Sequence, residues 1–284
     1  MSKLERNVQN FIGCESDYSD AKIVLFGAPF DSTTSYRPGT RFASAAIRGE
    51  SYGIETYSPY QDKDLEDIRV FDSGDLELPF GSPEQALADI EERASIILND
   101  GKIPCMIGGE HLVTLGAVRA AAEKYPHLHI IHFDAHCDLR EEYLGVTHSH
   151  ATVMRRCFDI LGDGKIYQYG IRSGTREEFR FAQKHTIMNK FDLENIERVI
   201  DEIEDEPVYF TLDLDVLDPR EFPGTGTPEA GGASFGELMH ALEVISKLNI
   251  VAFDMNELSP HYDPSGRSTA IACKILREML LFFY

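Results

Sequence analysis

The chain has 284 residues, of which 48 are acidic and 27 basic, for a formal charge of -21. That sign excludes nucleic-acid binding through a broad basic face and fits a cationic substrate, metal ions or solubility alone. No apolar run reaches the roughly 18 residues of a membrane span, and the start, MSKLERNVQN, lacks the apolar core of a leader peptide, so no membrane partner and a cytoplasmic location are expected.

Short apolar, β-branched runs alternate with amphipathic stretches, the pattern of βαβ units around a mainly parallel sheet. The first strand is expected at 22–26, followed by a long loop, 28–41, and a helix near 42–51. A strand at 68–71 and a helix at 83–99 come next. The strand at 103–107 ends in Gly108-Gly109-Glu110-His111, just before a helix at 111–124. Two glycines permit tight reversal and close backbone approach, which puts His111 at a strand's carboxyl end. Alone, such a histidine is as well explained as a cap or a buried residue.

The next strand, 128–133, runs into Asp134, His136 and Asp138. Spaced at i, i+2 and i+4, the three share one side if the backbone stays extended, and Cys137 between them points away. The five cysteines form no CxxC pair and are odd in number, which argues against both a disulfide framework and a thiolate zinc site. His148 and His150 follow the loop 135–148, and either could shuttle protons near neutral pH.

A helix at 149–158, a strand at 165–170, a helix at 175–184, a strand at 186–188 and a helix at 192–204 lead to a strand at 208–212. This last strand repeats the earlier offer, running apolar into Asp213 and Asp215 at i, i+2. In the loop 216–233, the stretch Gly224-Thr225-Gly226-Thr227-Pro228-Glu229 looks like a phosphate loop. No strand leads directly into it and no GK[ST] ends it, so a flexible turn lining the site is the expectation. A helix at 234–247 and a strand at 250–255 precede Glu257, a carboxylate that either pairs with a cationic substrate or caps a neighbouring helix. The helix at 267–282 completes about eight strands and about eight helices. No repeat or linker divides them, so a single domain over 1–284 is expected.

His111, Asp134, His136, Asp138, Asp213 and Asp215 exceed what one ion with an open position requires, since a catalytic zinc takes about three protein ligands. Two ions sharing bridging carboxylates fit better. A donor set rich in oxygen and free of thiolate suits Mn²⁺, Co²⁺ or Mg²⁺. Ions roughly 3.5 Å apart can hold a bridging water as hydroxide. Any one of these aspartates could be a turn residue, but six ligand-type residues at three strand ends are poorly explained that way.

With GGEH at 108–111, FDAHCDLR at 133–140, SHAT at 149–152, TLDLDVLDP at 211–219 and GTGTPEAGG at 224–232, the chain resembles the arginase/agmatinase (ureohydrolase) family, and agmatinases most of all. The resemblance implies a three-layer α/β/α sandwich with a mostly parallel eight-stranded sheet, two Mn²⁺ per chain and hydrolysis of a small guanidino substrate to urea and an amine. It also implies a homo-oligomer, trimeric or hexameric. Carried over residue by residue, it gives one ion to His111, Asp134, Asp138 and Asp213, and the other to Asp134, His136, Asp213 and Asp215. Asp134 and Asp213 bridge them. His150, in SHAT, takes the place of the family's proton-shuttling histidine, Glu257 that of the glutamate on the guanidinium, and Thr227 that of the threonine beside it. Where the family usually has Thr, this chain has Cys137.

Arginases carry an Asn just after the last ligand of the DAHxD segment and an Asp after the GIR-like strand end, which hold an amino-acid head group. Here those regions read Leu139-Arg140-Glu141-Glu142 and Gly170-Ile171-Arg172-Ser173-Gly174-Thr175, with neither residue in place. Agmatine is then the expected substrate, yielding putrescine and urea. The bridging hydroxide is expected to attack the guanidinium carbon, with Asp138 passing its proton to the leaving amine. Within the class, arginine, guanidinobutyrate and formiminoglutamate are the alternatives, since Arg140 or Arg172 could meet a carboxylate tail. From other classes, a single-zinc deacetylase-like amide hydrolase is opposed by the surplus carboxylates, and a non-catalytic metal-binding protein by the complete residue set.

Overall fold

The computed structural model describes residues 9–284; most of the stretch read for a leader peptide falls outside them. Ten strands and eight α-helices follow one another along the described residues. They are β1 (Ile23–Gly27), α1 (Ala43–Glu50), β2 (Tyr57–Ser58), β3 (Lys63–Asp64), β4 (Val70–Asp75), α2 (Pro83–Asn99), β5 (Ile103–Ile107), α3 (Thr114–Lys124), β6 (His129–Phe133), α4 (Val153–Leu161), β7 (Ile166–Ile171), α5 (Arg176–His185), β8 (Ile187–Lys190), α6 (Arg198–Ile203), β9 (Pro207–Asp213), α7 (Phe235–Ile245), β10 (Asn249–Asn256) and α8 (Arg267–Phe282). Eight strands form one sheet in the order β4-β1-β5-β10-β9-β6-β7-β8. Every pairing in it is parallel, so the expected mostly parallel sheet is wholly so.

Alternation along the strands builds two cores. Ile23 and Leu25 of β1, Cys105 and Ile107 of β5, and Val208, Phe210 and Leu212 of β9 point to one face and pack with α1, α6, α7 and α8. Val24, Phe26, Met106, Ile130 and Tyr209 point to the other and pack with α2, α3 and α4. Strands buried on both faces read as continuous apolar runs, the reason they were visible in the sequence. The result is the expected three-layer α/β/α sandwich.

Three expectations change. The strand placed at 68–71 is β4, two residues later, because Leu65 to Asp67 form a 3-10 turn whose capping residue, Asp64, accepts the Glu66 N–H. The antiparallel ribbon β2–β3 was not foreseen. The helix expected at 192–204 shrinks to α6, since the Asp192 carboxylate accepts from both Asn189 and the Glu194 N–H and holds a turn there. No helix of the described residues is long and apolar enough to cross a membrane.

β5 and β6 are consecutive strands, yet β10 and β9 lie between them. Such a reversal of strand order opens a crevice at the carboxyl ends of a parallel sheet. The loops after β5, β10, β9 and β6 all meet there.

Candidate active site

Four adjacent strands deliver the site. β5 ends in Gly108 and Gly109 because backbone and side chains crowd there: a Cβ on Gly109 would stand 2.0 Å from the Phe30 carbonyl oxygen, and one on Gly108 1.7 Å from Asn256 Oδ1. The pair serves close approach, and it seats His111 at the first turn leading into α3. From β6 come Asp134, His136 and Asp138, from β9 Asp213 and Asp215, and from the end of β10 Glu257.

The six expected ligands converge. His111 Nδ1 lies 3.0 Å from Asp134 Oδ2, 3.3 Å from Asp138 Oδ2 and 3.3 Å from Asp213 Oδ2. His136 Nδ1 lies 3.0 Å from Asp215 Oδ2 and 3.4 Å from Asp134 Oδ1. Two groups of metal-ligand type result, His111, His132, Asp134 and Asp138 in one and Asp134, His136 and Asp215 in the other, with Asp213 beside the first through His111. The convergence does not come from extended backbone, as the spacing argument supposed. Asp134 Oδ1 accepts the His136 N–H at 2.6 Å and Asp213 Oδ1 the Asp215 N–H at 2.8 Å, so each i, i+2 pair is closed by a carboxylate turn. Asp138 reaches the group through a left-handed backbone, φ 53°, and Glu257 does likewise at 66°. Such conformations are uncommon for these residues and are held by their surroundings.

The charges explain what this centre can bind. Burial opposes a cation on His111, but the Asp134, Asp138 and Asp213 carboxylates outweigh it and hold the imidazole well above its usual range. On His136 burial is likewise outweighed, by Asp215 and Asp134. Burial and the Asp134 charge push Asp138 up to about 7, and burial with Asp215 and Asp134 raises Asp213 strongly. Four carboxylates this close need positive charge between them. Protons on the imidazoles supply some; divalent cations supply more, and the donors, mostly oxygen with two imidazoles and no thiolate, suit hard or borderline ions.

One layer below lies a buried polar row that sequence reasoning missed. Gln168, His132, Thr211 and Asp254 are paired in register across β7, β6, β9 and β10, and all four are fully buried. His132 Nε2 is 2.8 Å from Asp134 Oδ2, and Gln168 Nε2 lies 3.1 Å from His132 Nδ1. On the other side, His111 Nε2 lies 2.9 Å from Thr211 Oγ1, which donates to Asp254 at 2.6 Å. With its proton on Nε2, His111 offers its Nδ1 lone pair to the carboxylate side. The signal was available: stepping the same alternation two residues back from Asp134 and Asp213 lands on His132 and Thr211.

A cavity of about 240 Å³ opens over the cluster. His111, His136, Asp138 and Asp213 form its floor, with Glu257, Thr227, His150, Arg140 and Tyr143 in its walls. Glu257 Oε1 accepts the His111 N–H at 2.8 Å, and burial, with the nearby Asp215 and Glu110 charges, raises its carboxyl well above the usual range. That bond satisfies the first N–H of the 3-10 turn leading into α3, as a capping carboxylate does, and braces the turn that carries His111. Thr227 Oγ1 donates to Asp215 at 3.4 Å. The loop that carries it is pinned, with the Gly224 N–H on Ser268 and the Gly231 N–H on Asp218. The flexible turn expected there is therefore corrected to a fixed wall.

His150 Nε2 stands 3.2 Å from Ser35 Oγ, and burial lowers this imidazole to about 4, which keeps it neutral. His148, the other candidate, lies off the cavity beside Glu84. Cys137 Sγ packs where a Cβ on Gly174 would meet it at 2.6 Å and belongs to neither ligand group. Of the two arginines considered for a carboxylate tail, Arg172 is committed to the carbonyls of Gly170, Asp215, Val216 and Glu229. Arg140 alone faces the cavity, its guanidinium 4.3 Å from the Tyr143 ring centre and its Nε 3.4 Å from Glu178.

A family model described as the arginase family matches residues 21–282. An agmatinase of Bacillus anthracis is 48% identical over 276 residues, 95% of each chain. A guanidinobutyrase of Pseudomonas aeruginosa is 32% identical over 279 residues, 94% of this chain and 87% of its own. The solved agmatine ureohydrolase of Thermoplasma volcanium superposes with a TM-score of 0.89 at 36% identity, covering 98% of this chain and 95% of its own.

Proposed function

The chain belongs to the arginase family and is an amidinohydrolase, and from that premise we propose that it hydrolyses agmatine to putrescine and urea. Support comes from one observation above all: six donors from three strand ends lie in mutual contact beneath a cavity whose wall presents the buried carboxylate of Glu257. In this reading His111, Asp134, Asp138 and Asp213 hold one manganese ion, and Asp134, His136, Asp213 and Asp215 the other. Bound there, the pair would supply a water activated as a nucleophile.

The chain's own groups do the rest. Glu257 keeps one oxygen on the His111 N–H and turns the other to the guanidinium, orienting its plane by charge-assisted hydrogen bonds. Thr227, beside Asp215, lines the path of the same group. Asp138, brought to the cavity floor by its left-handed backbone, takes the proton of the attacking water and gives it to the leaving nitrogen, which departs as an amine only once protonated. His150, neutral and next to the Ser35 hydroxyl, exchanges protons between cavity and solvent. The walls exclude bulk water and fix these groups in advance.

The arginine head group finds no receptor in the places arginases use. Thr175 closes a reciprocal cap with Glu178, its N–H on Oε2 at 2.8 Å and its hydroxyl taking the Glu178 N–H at 3.2 Å. A second reading, a guanidino acid such as 4-guanidinobutyrate, is favoured by Arg140 in the cavity wall. The same proposal takes the chain as one ureohydrolase domain, assembled as a trimer or hexamer in the cytoplasm.

Urea release from agmatine, arginine and 4-guanidinobutyrate by manganese-loaded protein tests the choice. Agmatine is expected to lead in kcat/KM by at least about 10-fold. A lead for 4-guanidinobutyrate would move recognition to Arg140, and no urea from any of the three would end the reading.

A further inference from the structure

Glu110, the third residue of Gly108-Gly109-Glu110-His111, has no part in the chemistry above, yet it is completely buried. Both its oxygens are occupied, and every donor comes from one segment of the loop after β1. Oε1 accepts from the Thr33 hydroxyl at 2.5 Å, and Oε2 from the Thr33 N–H at 2.9 Å and the Thr34 hydroxyl at 3.0 Å. Thr33 Oγ1, its proton given to Glu110, accepts the His150 N–H at 3.1 Å. Two residues on, Ser35 Oγ meets the other end of His150, at Nε2. One short segment thus touches both the backbone and the ring tip of the histidine over the cavity.

We propose that Glu110 is a positioning residue: it clamps residues 33–35 against the end of β5 and, through Thr33 and Ser35, sets the pose of the His150 imidazole. The inference rests on the reading of His150 as the proton-exchanging group. Its chemistry is specific to a carboxylate. Three donors converge on two oxygens, and an amide in their place would turn an NH₂ toward a hydroxyl or N–H that also donates. The direction of the chain matters as well. With its hydroxyl proton directed to Glu110, Thr33 Oγ1 presents a lone pair to the His150 N–H. The clamp also gives the glycines before it a second purpose. Glu110 N–H donates to the Phe30 carbonyl at 2.8 Å, an approach that Gly109 alone permits.

The test uses the full manganese-loaded chain with agmatine. Glu110→Gln and Thr33→Val should each lower kcat by about 10-fold or more, as displacement of a catalytic group does, while KM and bound metal stay within about 2-fold of the unsubstituted protein. Thr33→Ser, which keeps the hydroxyl, should recover most of the loss. Added to His150→Ala, Glu110→Gln should cost less than about 2-fold more, because both act through one group. A readout independent of turnover is amide exchange: the Thr33 and His150 N–H groups should exchange faster in Glu110→Gln. The proposal is overturned by unchanged kcat in both single variants, by a full additional loss in the His150→Ala background, by loss of metal along with activity, or by unchanged exchange at both amides. If the unsubstituted protein releases no urea from any guanidino compound, the reading of the reaction fails, and the exchange measurement still decides the clamp.

Discussion

Asp134 is the residue on which the two halves of the centre depend. One oxygen faces His111 and His132, the other His136, so this carboxylate stands between the two groups. Its carboxyl is held well below the usual range: burial opposes ionisation, but the three imidazoles around it outweigh that. The residues it faces hold protons instead. His111 and His136 are raised well above the ordinary histidine value and Asp138 to about 7. Cations entering the site must displace those protons, so proton and metal compete, and raising the pH through about 7 removes the one on Asp138. Manganese affinity is therefore expected to rise with pH. Calorimetric titration at about pH 6 and about pH 8, in buffers of different ionisation enthalpy, should show more protons released at the lower pH. Affinity independent of pH would contradict it. The ligands were legible in the sequence because each stands next to an apolar strand. His132 and Thr211 were not, because inside the strands they looked like isolated polar residues, and only the register between β6 and β9 makes them neighbours.

Elements are joined to this site by their caps. The turn before α8 is held by Asp263, whose Oδ2 accepts the Ser268 N–H and hydroxyl, both at 2.7 Å, and whose Oδ1 accepts from Ser265. These bonds prevail over burial and lower its carboxyl to about 2. Ser268 Oγ in turn accepts the Gly224 N–H, which ties α8 to the loop carrying Thr227. A depressed carboxylate contributes stability above its unfolded value, about 4, and loses it as pH falls toward about 2. Asp263→Ala should cost about 1 kcal/mol near neutral pH, and in urea denaturation the gap to the unsubstituted protein should close on acidification. A gap that stays constant would assign the cost to packing. What could be read ahead of the structure follows the same division. Strands buried on both faces and helices with a Thr175 or Ser234 capping box announce themselves. The two-residue strands β2 and β3 carry too few residues for any period to register. The region before α6 looked helical because Leu193, Ile196, Val199 and Ile203 fall at helical spacing, yet Asn195 adopts a left-handed φ of 59° and breaks the run.

At the scale of the whole molecule, topology decides where the acidity acts. A formal charge of -21 disfavours anions and favours cations around the molecule, but only the reversal at β5-β10-β9-β6 gathers carboxylates at one point. Two buried cores clamp those four strands from both faces, which fixes the ligand positions before any ion arrives. A pair of ions acting together on a guanidino substrate would tie turnover to metal stoichiometry. Stepwise addition of Mn²⁺ to metal-stripped protein, with urea release from agmatine followed at each step, tests it most directly. Turnover should climb until about two ions are bound per chain and then level off, with putrescine formed in equal amount to urea. Full activity at one ion, or two bound ions without urea, would contradict it.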